Sequence, residues 1–265
     1  IMHLLTLGFF KAGMFLGAGS VMHGMNDEVN MRKYGALRKF MPITAITFGF
    51  GYLAIIGVPP FAGFYSKDKL IEVALNAGGI KGLLLGGAAL IGAGITAFYM
   101  TRVVVLTFAG KARWDHEAHP HESPALMVIP MILLAFGSVA SGYLFTRGDA
   151  LVKWLEPVVA PHHGEHHEEL YSPLTISVVA LTLVAIGVLT AVLKYRGEVS
   201  NSAPENVSIF TRIARRDLLQ DSFNEAVFMR PGQSLTKTLL KVDQSAIDGT
   251  VRAVAASALG SAQGL

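Results

Sequence analysis

Four ionisable side chains stand in strongly apolar sequence: His3 and Lys11 in MHLLTLGFFKAGMFLGAG, and the adjacent Lys67 and Asp68 in GVPPFAGFYSKDKLIEVA. An ionisable group at membrane depth is costly enough that function is the default reading. Desolvation makes the charged form of an amine expensive. A lysine held out of water therefore exchanges its proton when a neighbouring charge changes, which is the chemistry of a proton relay. His3 also suits a helix–helix hydrogen bond, and Lys11 could snorkel to an interface, a reading that its mid-helix position disfavours. SKDKLIEVA, with Lys69 and Glu72, could equally be a solvated helix start. Its place directly after a helix break favours an ion pathway, with Asp68 as the local charge partner of Lys67.

The other charged features suggest less chemistry. Arg102, in YMTRVVVLTFAG, lies near the end of an apolar run and is explained by snorkelling. Two histidine-rich tracts, DHEAHPHE at 115–122 and HHGEHHEE at 162–169, have the composition of metal-binding segments but no spacing that forces a ligand geometry. They read as solvated, flexible loops, and no metal is expected. No phosphate-cradling glycine loop, nucleophile elbow or paired-carboxylate signature is present. With no cysteine there is no disulfide framework and no iron–sulfur ligation.

The elements that position these residues are helices in lipid. The 265 residues are 52% hydrophobic and 15% charged, with a mean hydropathy of +0.47, whereas a soluble domain carries about 25% charge. The net charge of +3 gives no case for nucleic acid. Apolar runs at about 2–23, 42–76, 82–109, 124–146 and 173–194 predict an all-α, polytopic transmembrane bundle. The second run is too long for one straight crossing. Val58-Pro59-Pro60 should break it inside the membrane, because prolines lack the backbone donor and clash with the preceding turn. Glycines in runs such as GLLLGGAALIGAGITAF permit close helix packing.

Arg32, Lys33, Arg38, Lys39, Lys111, Arg113, Lys194 and Arg196 fall on one side by alternation; Lys81, Arg147 and Lys153 fall on the other. The first group marks the cytoplasmic or matrix face. After a polar linker, Leu218, Leu219, Phe223, Val227 and Phe228 recur at near-helical spacing among acids, and Leu235, Leu239, Leu240 and Val242 resume the pattern. This predicts an amphipathic surface helix that Pro231-Gly232 should break or bend. The chain thus divides into 1–110, the end of a bundle; 111–196, two further spans with loops; and 197–265, linker and amphipathic helix. It opens inside a hydrophobic helix without a charged leader, so it reads as a C-terminal fragment.

HLLTLGFFKAGMFLGAGSVMHG at 3–24, MRKYGALRKFMP at 31–42 and GVPPFAGFYSKDKLIEVA at 57–74 resemble the large antiporter-like subunit of NADH:quinone oxidoreductase, respiratory complex I. The resemblance is dense over about 1–110 and looser beyond. The family carries H-x-x-x-H-x-x-x-K on one helix; His3 and Lys11 match its outer positions, and Leu7 replaces the middle histidine. At 1.5 Å per residue His3 and Lys11 lie about 12 Å apart along the axis. Water, helped by Thr6, must bridge them if that branch operates. Lys67 coincides with the lysine of the family's broken helix, near the outlet of the proton path, and Asp68 with the acid beside it.

The resemblance implies a non-redox subunit of a proton-translocating NADH:quinone oxidoreductase, with Lys11, Lys67, Asp68 and His3 as proton relay. It implies no cofactor on this chain, and FMN, iron–sulfur clusters and quinone in partner subunits. The partners implied are sister membrane-arm subunits contacted by the amphipathic helix as a lateral helix at about 205–255, the lipid bilayer, and a respiratory supercomplex. The membrane implied is the bacterial cytoplasmic or mitochondrial inner membrane, with the lateral helix on the cytoplasmic or matrix side. The alternatives are the large subunit of a multisubunit sodium/proton antiporter, and a structural brace without ion conduction.

Overall fold

The computed structural model describes residues 1–115, 118–158, 170–197, 204 and 207–263. The 162–169 histidine tract and His116 and Glu117 of the first tract lie outside the described residues. The chain forms two compact units, residues 1–202 and 203–265.

In the first unit the major helices are α1 (Met2–Gly24), α2 (Pro42–Ile56), α3 (Ala62–Asn76), α4 (Gly79–Phe108), α5 (Ala125–Thr146), the short α6 (Ala150–Leu155) and α7 (Pro173–Tyr195). The helices α1, α4 and α7, and α5 continuing through α6 to Leu155, are long and apolar enough to cross a membrane. At 15 residues each, α2 and α3 measure about 22 Å, short of a hydrocarbon layer of about 30 Å. They are the two halves of the predicted broken span. α1 packs against α2 and α5, α4 against α7, and α3 touches α1, α4 and α5.

The inward faces mix small and hydroxylated residues with a few large apolar ones, and the outward faces are large and apolar. On α1, Thr6, Phe10, Gly13, Met14, Gly17, Ser20, Val21 and Gly24 are buried at helical spacing, while Leu4, Leu5, Phe15 and Leu16 are exposed. Exposed Leu83, Leu84, Leu85, Ile91 and Ile95 on α4, and Leu174, Val178, Ile186 and Leu189 on α7, continue that outer surface. An apolar exterior on this scale suits lipid rather than water. In lipid the helices gain nothing from hiding apolar surface, so close backbone approach must hold them together. Gly187 of α7 lies against the Gly94 carbonyl of α4 so closely that a Cβ there would overlap it.

At one end of the bundle the loops interlock. Arg113 donates from Nε to the Arg32 carbonyl at 2.8 Å and from Nη2 to the Leu106 carbonyl at 2.6 Å. Its backbone N–H donates to the Tyr34 carbonyl at 3.1 Å. The cation-rich 25–41 loop is thereby tied to the end of α4, and Gly24 meets the His121 carbonyl. Burial, with the Glu28 charge adding to it, pushes the Tyr34 phenol up to about 12.

The described part of the first histidine tract is anchored, where a solvated flexible loop is expected from its composition. Pro42 opens α2 without a donor and Met41 offers no side-chain cap. Glu122 supplies the cap from the α4–α5 connection, accepting from the N–H groups of Ile43 (2.8 Å) and Thr44 (3.3 Å) and from Thr44 Oγ1 (2.5 Å). A carboxylate at a helix start also meets the positive end of its dipole. Beneath it, Ser20 Oγ lies 2.7 Å from both Thr44 Oγ1 and Ser123 Oγ, a buried hydroxyl cluster joining α1, α2 and the loop.

In the second unit α8 (Ile209–Ala214) is followed by a left-handed stretch at Asp217, Leu218 and Leu219. Helix then runs through α9 (Gln220–Asn224), a π turn at Glu225–Met229, α10 (Arg230–Val242), a second π turn at Asp243–Ile247 and α11 (Asp248–Gln263). Its described residues bury no core of their own. Leu235, Leu239, Leu240 and Val242 are exposed on α10 among Lys237 and Lys241, the amphipathic pattern expected. Pro231 does not interrupt the helix. The π turn before it passes the Arg230 N–H back to Glu225 O, so the wider turn absorbs the proline's missing donor and the crowding of its ring.

Gly63 of α3 faces the Ala54 carbonyl oxygen of α2, and a Cβ there would overlap it. Gly63→Ala should cost about 1–3 kcal/mol, the range for overpacking, seen as a lowered thermal midpoint in detergent. Gly19→Ala, where a Cβ meets nothing, should leave the midpoint unchanged or raised. Glu122→Ala should cost about 0.5–2 kcal/mol as a lost cap, measured in the same assay.

Candidate functional site: the broken helix and its lysine

α2 ends in a two-bond glycine cap. Gly57 takes the left-handed conformation at φ 81°, its N–H donates to Ala54 O at 3.0 Å, and the Val58 N–H donates to Leu53 O at 3.1 Å. The next two carbonyls, of Ile55 and Ile56, would be satisfied in a continuous helix by residues 59 and 60. Both are proline and have no N–H to give. The chain turns through Val58–Phe61, and α3 begins at Ala62.

Lys67 fills that gap. Its Nζ donates to the Ile56 carbonyl at 2.7 Å, a charge-assisted bond to a freed backbone acceptor at the negative end of the α2 dipole. Gly57 lets the side chain pass: a Cβ there would stand 2.9 Å from both Cε and Nζ of Lys67. Lys69, two residues on, is exposed and pairs with Glu72 at 2.5 Å. SKDKLIEVA is therefore solvated on one face only, with Lys67 turned inward.

Asp68 is close enough for its charge to act on Lys67. Among the described residues, however, no ion pair joins them, because consecutive helical residues do not face each other. The Asp68 carboxyl is instead directed at Ser177 of α7, with a buried Oδ2 that has no hydrogen-bond partner.

His3, Lys11 and Lys67 line one cleft of about 330 Å³ between α1, α3 and α4, together with Leu7, Thr96 and Tyr99. The sequence-predicted residues are thus gathered, except for Asp68, which is not in its wall. Lys11 is exposed on α1 and joins the others only through this shared space. Leu7 lines the cleft between His3 and Lys11, and the volume accommodates several waters to span that interval. His3 Nδ1 lies 3.0 Å from Ser66 Oγ, and Thr6 Oγ1 donates to Ser66 Oγ at 2.8 Å. Ser66 did not emerge from the sequence as a site residue. The available signal is the run of small side chains Ala62, Gly63 and Ser66, which gives α3 a face thin enough to press on α1 and α2.

Arg102 is less freely snorkelled than its position suggests. Its guanidinium carbon sits 5.4 Å from the Tyr195 ring centroid on α7, and its Nε is buried without an acceptor among the described residues. This places the end of α7 beside the end of α4, the end at which the cation-rich loops interlock.

Four apolar membrane-length helices and a proline-broken helix, with an inward lysine on the freed carbonyl, define a polytopic helical membrane protein with an inward-facing ionisable site. Residues 1–96 match the family model described as NADH:quinone oxidoreductase/Mrp antiporter, transmembrane. The chain is 56% identical to NADH-quinone oxidoreductase subunit L of Mycobacterium tuberculosis over 258 residues, which covers 96% of this chain and 40% of that protein. It is 35% identical to NAD(P)H-quinone oxidoreductase chain 5 of a Picosynechococcus strain, over 100% of this chain and 44% of the relative. Subunit L of Rhodobacter capsulatus is 45% identical over 180 residues, 62% of this chain and 25% of that one. The chain belongs to this family of antiporter-like membrane subunits, and it spans less than half the length of these relatives.

Gly57→Ala would force a left-handed alanine and press its Cβ on Lys67. We expect a loss of about 1–2 kcal/mol in stability, read as a lowered thermal midpoint. Faster acylation of Lys67 by a small amine-reactive ester, followed by mass spectrometry, should accompany it.

Proposed function

We propose that this chain is the C-terminal portion of a proton-translocating membrane-arm subunit of NADH:quinone oxidoreductase. The observation that carries the reading is the Lys67 ammonium, held on the Ile56 carbonyl at 2.7 Å and facing the cleft it shares with His3 and Lys11. A lysine so placed has two states of different cost. Charged, it makes a strong bond at a helix end; neutral, it makes a weaker one and bears no desolvation penalty. A charge arriving or leaving nearby tips that balance.

In this reading Lys67 is the main proton-holding group, Lys11 and His3 exchange protons with it through water in the cleft, and Asp68 adjusts the charge that Lys67 feels. The chain's own residues hold and move protons and carry no redox group. Electron transfer through FMN, iron–sulfur clusters and quinone belongs to partner subunits. The membrane is the bacterial cytoplasmic membrane or its mitochondrial counterpart, with the cation-rich loops on the cytoplasmic or matrix side. The amphipathic helix of the second unit serves as a lateral helix against sister subunits on that side.

Lys67→Arg tests the reading in the assembled complex reconstituted in liposomes. Arginine keeps a donor for the Ile56 carbonyl but does not release its proton. Protons moved per NADH oxidised should fall with Lys67→Arg and with Lys67→Ala, while subunit composition stays intact. An undiminished ratio in both would make this portion a brace.

A further inference from the structure

We infer that Ser66 is a positioning residue that fixes the tautomer of His3, leaving Nε2 as the nitrogen that takes up and releases a proton. The relay role given to His3 rests on the function proposed above; the tautomer itself does not.

Ser66 is buried on α3, and its hydroxyl has three partners. It donates to the Ala62 carbonyl at 3.2 Å, receives the Thr6 hydroxyl at 2.8 Å and lies 3.0 Å from His3 Nδ1. A serine hydroxyl has one hydrogen and two lone pairs. The serine's own backbone N–H already serves the Ala62 carbonyl within α3, so its hydroxyl hydrogen has two acceptors in reach, that carbonyl and His3 Nδ1; the back-bond usual for a helical serine places it on the carbonyl. Thr6 has a single hydrogen for the His3 carbonyl at 3.1 Å and Ser66 Oγ at 2.8 Å; on the shorter contact it fills one serine lone pair. With the serine hydrogen on the Ala62 carbonyl, a bare Nδ1 at 3.0 Å would set lone pair against lone pair, so Nδ1 is the donor to Ser66 Oγ. A neutral imidazole carries one hydrogen, so placing it on Nδ1 leaves Nε2 bare.

This assignment decides what His3 does. With Nδ1 committed to Ser66, protons do not pass through the ring from one nitrogen to the other. They enter and leave at Nε2, and the ring acts as a terminus on the cleft that also holds Lys11 and Lys67. The Lys67 charge is felt at His3, so occupancy of the two sites is linked. Thr6 and Ser66 give α1 and α3 a polar clasp beside the Leu7 position, where the family motif has its middle histidine.

The test uses the assembled complex with histidine labelled for solid-state nitrogen NMR, the His3 signal being assigned by difference against His3→Gln. Wild type and Ser66→Thr should show Nδ1 protonated and Nε2 bare. In Ser66→Ala the ratio of the two tautomers should shift toward Nε2–H by about fivefold, the bias one net hydrogen bond gives a two-state equilibrium. A bare Nδ1 in wild type, or an unchanged signal in Ser66→Ala, overturns the inference. Pumping supplies the second readout. Ser66→Ala should lower protons moved per NADH, Ser66→Thr should restore them, and the Ser66→Ala deficit should vanish in a His3→Gln background. A deficit that persists there would mean that Ser66 acts through packing. Normal pumping by both Lys67→Arg and Lys67→Ala would refute the proposed function and leave the tautomer result standing.

Discussion

The bond on which the site depends joins the Lys67 ammonium to the carbonyl of Ile56. It exists because two prolines occupy the positions that would otherwise satisfy the last carbonyls of α2. A backbone acceptor without a partner in lipid costs several kcal/mol, and an ammonium without one costs more. Each group removes the other's penalty. The left-handed Gly57, the tight approach of Gly63 to Ala54 and the inward turn of α3 are the conditions under which the two meet.

Around that centre the bundle is held by shape. Gly187 brings the backbones of α4 and α7 close, and Gly137 of α5 makes room for the Phe9 ring of α1. Hydroxyl groups on the inward faces satisfy one another, as Ser20, Thr44 and Ser123 do. Many large apolar side chains point outward, a surface suited to lipid. Such a bundle tolerates a polar cleft because the ionisable groups lining it are few, and each group with a short bond has a specific partner.

Much of this was legible in the sequence. Run length gave the spans, and the double proline gave the break, because both depend on local chemistry. The family resemblance named His3, Lys11 and Lys67 as relay residues and spacing put His3 and Lys11 on one helix; that the three line one cleft comes from the packing of α1, α3 and α4. Three features were not legible, each for a physical reason. Ser66 looks like filler in a small-residue run, and only the crossing of α3 with α1 gives its hydroxyl a role. Glu122 sits in a tract whose composition suggests solvent, and its partners are 78 and 79 residues away. Pro231 lies where a break is the natural expectation, but a π turn upstream changes which carbonyl faces the ring.

α2 is fastened at both ends by chain from elsewhere: Glu122 grips its start and Lys67 its finish. It is a short rod between two clamps of opposite charge, each matched to the dipole end it holds. The clamp at the finish is the group proposed to gain and lose a proton, and its grip slackens when it is neutral. Under that proposal, loading and unloading the lysine would also be a mechanical event, in which one end of a short helix is alternately tightened and eased while the other stays pinned to the loop.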